Sequence, residues 1–191
     1  MRAFLDFEAS SLKKNSYPVE VAWAFEDGRC ETYLIRPAAD WTDWDAKAES
    51  IHGISRDTLL REGLPVDEVA RHLVEGLEEH QIYASAPSWD GKWLSLLLRT
   101  AALPRHLLRL RDTEEAREEA VREVLAPAVP AEGCEAAVSS ILAEVETYAR
   151  AQPVRHRALP DAQHELHVWQ ESRRRAEAFV AVSTTPSSCR T

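Results

Sequence analysis

The chain has 191 residues, 45% of them hydrophobic, which suits a single domain with a substantial core. A formal net charge of −9 argues against a protein that coats long nucleic acid by bulk electrostatics, though not against one that grips a few nucleotides locally. No apolar run approaches the roughly 18 residues of a membrane span, no signal peptide is legible, and three scattered cysteines, Cys30, Cys134 and Cys189, do not make a disulfide framework.

A reducing cytoplasm is the expected location, with no membrane partner. Residues 2–8 read as the first strand, with Leu5 and Phe7 on one face and Asp6 and Glu8 on the other. A hydrophobic first strand is normally central. Two carboxylates a few ångströms apart on a buried element repel each other, so either one is protonated or a cation lies between them. The competing reading is an edge strand whose polar face is solvated. After the polar turn Ala9–Asn15, Pro18–Glu26 alternates Val19, Val21, Trp23 and Phe25 on one face as a second strand. Glu26-Asp27-Gly28-Arg29 is a hairpin signal, and Cys30–Arg36 returns as the third strand.

Trp41–Asp57 reads as irregular with short helical pieces, and residues 65–79 have helical periodicity after Pro65. Gln81–Ala86 is a fourth strand; Ser88 is the expected N-cap of a helix over 89–102 with Trp93, Leu94, Leu97 and Leu98 buried. His106–Arg111, with Leu108 and Leu110 inward, is the fifth strand. Helices follow near 113–125 and 132–150, and a last one from about Pro160 to Phe179. The expected organisation is one α/β domain over 1–179, a five-stranded mixed sheet flanked by helices, and a flexible Ser/Thr-rich tail over 180–191.

Two further positions carry chemistry. Asp90 falls on the first turn of the helix after the fourth strand, where the helix dipole alone would favour a carboxylate. In His156-Arg157-Ala158-Leu159-Pro160-Asp161 the aspartate is near the start of the final helix and the histidine lies on the loop before it. That spacing suits a division of labour, the acid holding metal and the imidazole moving protons. A capping aspartate with an incidental surface histidine is the plainer alternative.

Taken together, Asp6-Phe7-Glu8, Asp90 within Trp89-Asp90-Gly91-Lys92-Trp93-Leu94, and His156-Arg157-Ala158-Leu159-Pro160-Asp161-Ala162 resemble the three motifs of the DEDDh family of 3′–5′ exonucleases. Ile51-His52-Gly53-Ile54-Ser55 is similar to a segment common in that family, and the resemblance extends from residue 2 to about residue 170. It implies a ribonuclease-H-like fold and two divalent ions, Mg²⁺ or Mn²⁺, held by Asp6, Glu8, Asp90 and Asp161. Oxygen-only ligands suit these hard cations. It also implies His156 as general base and nucleoside 5′-monophosphates as products. By the same resemblance Ala9, Ser10, Ser11 and Leu12 touch the terminal nucleotide through backbone and a hydrophobic wedge, Leu12 packing on its base unless it only covers the sheet edge. His52, read separately, shapes its turn or reaches a phosphate.

The chain departs from the family where Ser85-Ala86 stands in place of a His-Asn pair before the second motif. Trp89 and Trp93 read as core replacements for phenylalanine. Trp41 and Trp44 are expected to cap the sheet edge rather than stack on bases, and His164 and His167 to lie on a surface helix. Arg99, Arg105, Arg109 and Arg111 form the most basic local cluster. The expected partner is a single-stranded 3′ end or short oligonucleotide, RNA somewhat before DNA, and the resemblance leaves a homodimer open. Two other readings stay open: an exonuclease-like module that binds without cleaving, and a phosphodiesterase for small nucleotides.

Overall fold

The computed structural model describes residues 1–153 and 155–183. These form two compact units, Met1–Asp112 with residues 155–166, and Thr113–Pro153 with residues 167–183.

The first unit is built on a five-stranded mixed sheet. β1 (Arg2–Ala9), β2 (Pro18–Phe25) and β3 (Cys30–Leu34) form an antiparallel meander, and β4 (Gln81–Ala84) and β5 (Leu110–Asp112) add in parallel on the other side, in the order β3-β2-β1-β4-β5. β1 is therefore central, as its apolar residues predict. The β2–β3 turn is closed by hydrogen bonds from Gly28 N to Phe25 O and from Phe25 N to Arg29 O. It passes through a left-handed Gly28 at φ 90°, a conformation a Cβ disfavours.

Between β3 and β4 lie α1 (Ala46–His52), α2 (Arg56–Glu62) and α3 (Val66–Leu77). The Ile51–Ser55 motif is a helix junction. Gly53 ends α1 in the left-handed conformation (φ 71°), the Ser55 hydroxyl accepts from Thr58 N to cap α2, and Ile54 between them is buried. α4 (Pro87–Thr100) crosses from β4 to β5. Leu5, Phe7, Val19, Val21, Trp23 and Phe25 meet Leu73, Leu77, Trp93, Leu97 and Leu98 in one core, so the alternation read in the first two strands is the real one. Trp41 is in that core and Trp44 packs on it, in the capping role expected of them.

The structure departs from expectation at several places, among them β4, which ends at Ala84 rather than Ala86. β3 ends at Leu34; Ile35, whose N–H still donates to Val19 O, forms a parallel bridge to Leu64. β5 has three residues rather than six, since β4 offers it only Ile82, Tyr83 and Ala84 as partners; Leu108 still reaches the core from the preceding loop. Ser88 is not the N-cap of α4: Pro87, with its preset φ, takes the first helical position and leaves Ala86 as cap without a side-chain bond. Trp89 is 37% exposed, its ring tilted against that of Trp93, and not a core residue.

In the second unit α5 (Thr113–Leu125) and α6 (Ala131–Arg150) bury Val121, Leu125, Val138, Ile141 and Val145 with Val168 and Ala176 of the last helix, α7 (Ala158–Ser183). α7 runs past the expected end at Phe179, and the tail expected over 180–191 lies, from residue 184, outside the described residues. Among the described residues no helix is long and apolar enough to cross a membrane, and Cys30 and Cys134 are free thiols.

Candidate active site

The pleat of β1 places Asp6 and Glu8 on the face opposite Leu5 and Phe7. β1 pairs with β4 only from Arg2 to Phe4, so its second half runs beyond the end of that neighbour. There the backbone of Phe7 hydrogen-bonds the Asp90 carboxylate, as do the backbones of Ala86 and of Asp90 itself. Asp90 is 2% exposed on the first turn of α4, and its Oδ2 is buried with no hydrogen-bond partner. Asp161 is on the first turn of α7, a helix that begins with Ala158 and carries Ala162 one turn on, both fully buried. Pro160, also in that turn, loses no helix bond by lacking an N–H.

Carboxylate oxygens of Asp6, Glu8 and Asp161 lie within 4.8 Å of one another. Among the neighbouring charges, that of Asp90 acts most strongly on Asp6. The proton affinities record this crowding. Burial raises the Asp6 pKa well above the usual carboxylate range, and the charges of Asp90, Glu8, Asp161 and Glu165 raise it further. Burial, then Asp161 and Glu20, lifts Glu8 to about 7, against the lowering effect of Arg157. Burial likewise lifts Asp90 to about 7 despite its backbone donors. Carboxylate oxygens clustered in this way would suit a hard divalent cation such as Mg²⁺. The orphaned Oδ2 of Asp90 is a further acceptor waiting for a positive partner.

His156 is exposed on the turn before α7, with a left-handed backbone at φ 50°. Arg155 N of the same turn faces Asp161 Oδ1 at 3.4 Å. His52 is buried at 4% exposure: its Nδ1 accepts from Ile54 N at 3.0 Å, its Nε2 is buried without a partner, and burial lowers its pKa. The bond to Ile54 gives it the turn-shaping role weighed above. Ser10 and Ser11 are buried with both hydroxyls donating to Asp43 Oδ2, at 3.0 and 2.5 Å, so these side chains point inward. Ala9 is buried beside them, whereas Leu12 is 72% exposed. Next to this turn lies a cleft of about 480 Å³ whose lining includes Lys14, Ser16, Trp41, Asp43, Lys92 and Arg99.

One residue at the site escaped the sequence reading. Glu20 lies directly across from Glu8 in the β1–β2 ladder, is 3% exposed, and accepts from Arg157 Nε (2.9 Å), Arg157 Nη2 (2.5 Å) and Ala158 N (3.0 Å). The signal available was a lone charge in an otherwise apolar strand, on the same face as the alanines Ala22 and Ala24.

Among solved structures the chain is similar to exonuclease I. The enzyme from Methylocaldum szegediense, described as moderately thermophilic, aligns with TM-score 0.66 and 18% identity over 95% of this chain and 42% of its own. A zinc-bound E. coli exonuclease I complex with single-stranded DNA gives 0.64 and 14%, with the same coverages. The E. coli enzyme with a dA16 oligonucleotide gives 0.61 and 14% over 93% of this chain and 42% of that one. At these identities the likeness is one of fold, and the chain spans less than half the length of these proteins. No family model matches the sequence, and no curated protein matches it. The fold is the ribonuclease-H-like one that the resemblance implied.

Proposed function

We propose that the chain is a metal-dependent exonuclease of the DEDDh type, removing nucleoside 5′-monophosphates from the 3′ end of single-stranded nucleic acid. One observation carries this reading: the carboxylates of Asp6 and Glu8 on β1 and Asp161 on α7 have oxygens within 4.8 Å of one another, the charge of the buried Asp90 on α4 acts on Asp6, and the pKa values of Asp6, Glu8 and Asp90 are all raised. A protein with no cation to bind gains nothing from such repulsion. The fold likeness to exonuclease I, with structures in complex with single-stranded DNA, supports the substrate class.

Asp6, Glu8, Asp90 and Asp161 would hold two ions, Mg²⁺ or Mn²⁺. When bound, these supply Lewis-acid stabilisation of the charge that builds on the phosphoryl oxygens. The protein's own groups do the rest. His156, exposed before α7, takes the proton from the attacking water through an imidazole nitrogen. Leu12, projecting from the end of β1, packs on the terminal base, and the backbone of Ala9, Ser10 and Ser11 lines the path to it. His52 shapes its own turn by accepting from Ile54 N. Lys14, Lys92 and Arg99 give the neighbouring cleft cations for the phosphodiester backbone.

The test is cleavage of 5′-labelled and 3′-labelled RNA and DNA oligonucleotides with Mg²⁺, with Mn²⁺ and with EDTA. The expected result is a divalent-dependent ladder from the 5′ label and immediate release of a labelled mononucleotide from the 3′ label. Binding without release identifies an idle module, and hydrolysis confined to dinucleotides a small-nucleotide phosphodiesterase; either outcome overturns the proposal.

A further inference from the structure

We propose that Glu20 and Arg157 form a positioning device for His156, a buried carboxylate on β2 that fixes the turn from which the imidazole is presented. The inference rests on reading His156 as the general base.

β2 is buried along its whole length, and Ala22 and Ala24 show what suffices on that face. A carboxylate in such a strand is costly to desolvate, so its placement calls for a specific use. Its oxygens are spent on two consecutive residues 137 and 138 positions away: both nitrogens of one edge of the Arg157 guanidinium, and the backbone N–H of Ala158. A forked, planar contact of this kind sets direction as well as distance, which a lysine could not do. His156 immediately precedes this pair, and its φ of 50° is a conformation that side-chain-bearing residues rarely adopt. Pinning the next two residues to the sheet holds the turn in that shape. Because Glu20 faces Glu8 across the ladder, the anchor point is one residue pair from the acid cluster, and the turn is located relative to the acids themselves.

Ala158 N alone could be a simple cap of α7, so the informative variant is Arg157→Ala, which keeps that cap and removes only the fork. We expect Arg157→Ala to fold with Mg²⁺ affinity by calorimetry within about threefold of wild type and kcat reduced by on the order of 10- to 100-fold at similar KM, as misplacement of a reacting group predicts. Arg157→Lys recovers only part of that loss. Glu20→Gln combined with Arg157→Ala loses no more kcat than the worse single variant, since one contact is removed twice. Amide hydrogen exchange at residues 155–157 should accelerate in Arg157→Ala, a readout independent of catalysis. Unchanged exchange, wild-type kcat, or a kcat that falls only in step with metal affinity overturns the positioning role. If wild-type protein cleaves nothing, the nuclease reading fails on its own, and the exchange measurement still decides whether the clamp orders the turn.

Discussion

Asp90→Asn isolates the electrostatic strain of the metal-free site. Asn keeps one oxygen for the backbone donors at Phe7 and Ala86 and puts an amide where the buried, unpartnered Oδ2 now sits. Burial raises the Asp90 pKa from 3.8 to about 7, so ionising it in the folded protein is disfavoured relative to the unfolded chain. That gap corresponds to a ceiling of roughly 4 kcal/mol at pH 8. The sign is that of a raised carboxyl: its contribution to stability is complete below about pH 4 and is lost as pH rises through about 7. Metal-free wild type should therefore lose stability between pH 4 and 8, and Asp90→Asn should lose less. At pH 8 in EDTA the variant is expected to melt higher by up to on the order of 10 °C, at about 2–4 °C per kcal/mol. At pH 4.5 the two should nearly coincide. Mg²⁺ should reverse the ranking at pH 8, raising the wild-type Tm and leaving the variant little changed. Thermal melts at pH 4.5, 6 and 8, with EDTA and with Mg²⁺, measure all of this. An Asp90→Asn melting no higher than wild type at pH 8 in EDTA, or a difference that persists at pH 4.5, refutes the reasoning.

Asp6→Ala should abolish divalent-dependent cleavage while its Tm in EDTA equals or exceeds that of wild type, since one of several repelling acids is gone; comparable turnover by variant and wild type would remove the site. His156→Ala should slow cleavage by about 10²–10⁴ with metal affinity retained, and an unchanged pH–rate profile would take the imidazole out of the mechanism. Gly63→Ala is expected to destabilise by about 1–3 kcal/mol in urea unfolding, because a Cβ there would lie 2.6 Å from Arg36 N and 2.5 Å from Leu59 O, neither a side chain that can swing away. A neutral Gly63→Ala would show that the Ile35–Leu64 bridge yields more easily than its geometry suggests.

The legible part of this protein is the part written in local periodicity. Strand alternation puts Asp6 and Glu8 opposite Leu5 and Phe7, and the same two-residue period orders Val19 to Phe25. The helical periodicity expected after Pro65 likewise appears as α3. The misreadings fall where a neighbour decides. β5 is short because β4 is short, and Trp89 is exposed because Trp93 takes the core.

By itself, then, the sequence determined which residues can carry the chemistry, since residue type and spacing along one strand or one helix turn are local properties. Only the tertiary structure decided how they are charged and held. The raised proton affinities of Asp6, Glu8 and Asp90, the bond from the Phe7 backbone to Asp90, and the Glu20 anchor beneath the His156 turn all arise from groups far apart in the chain. Burial and Coulomb repulsion act through space, and no pattern along a chain encodes a distance that exists only after folding.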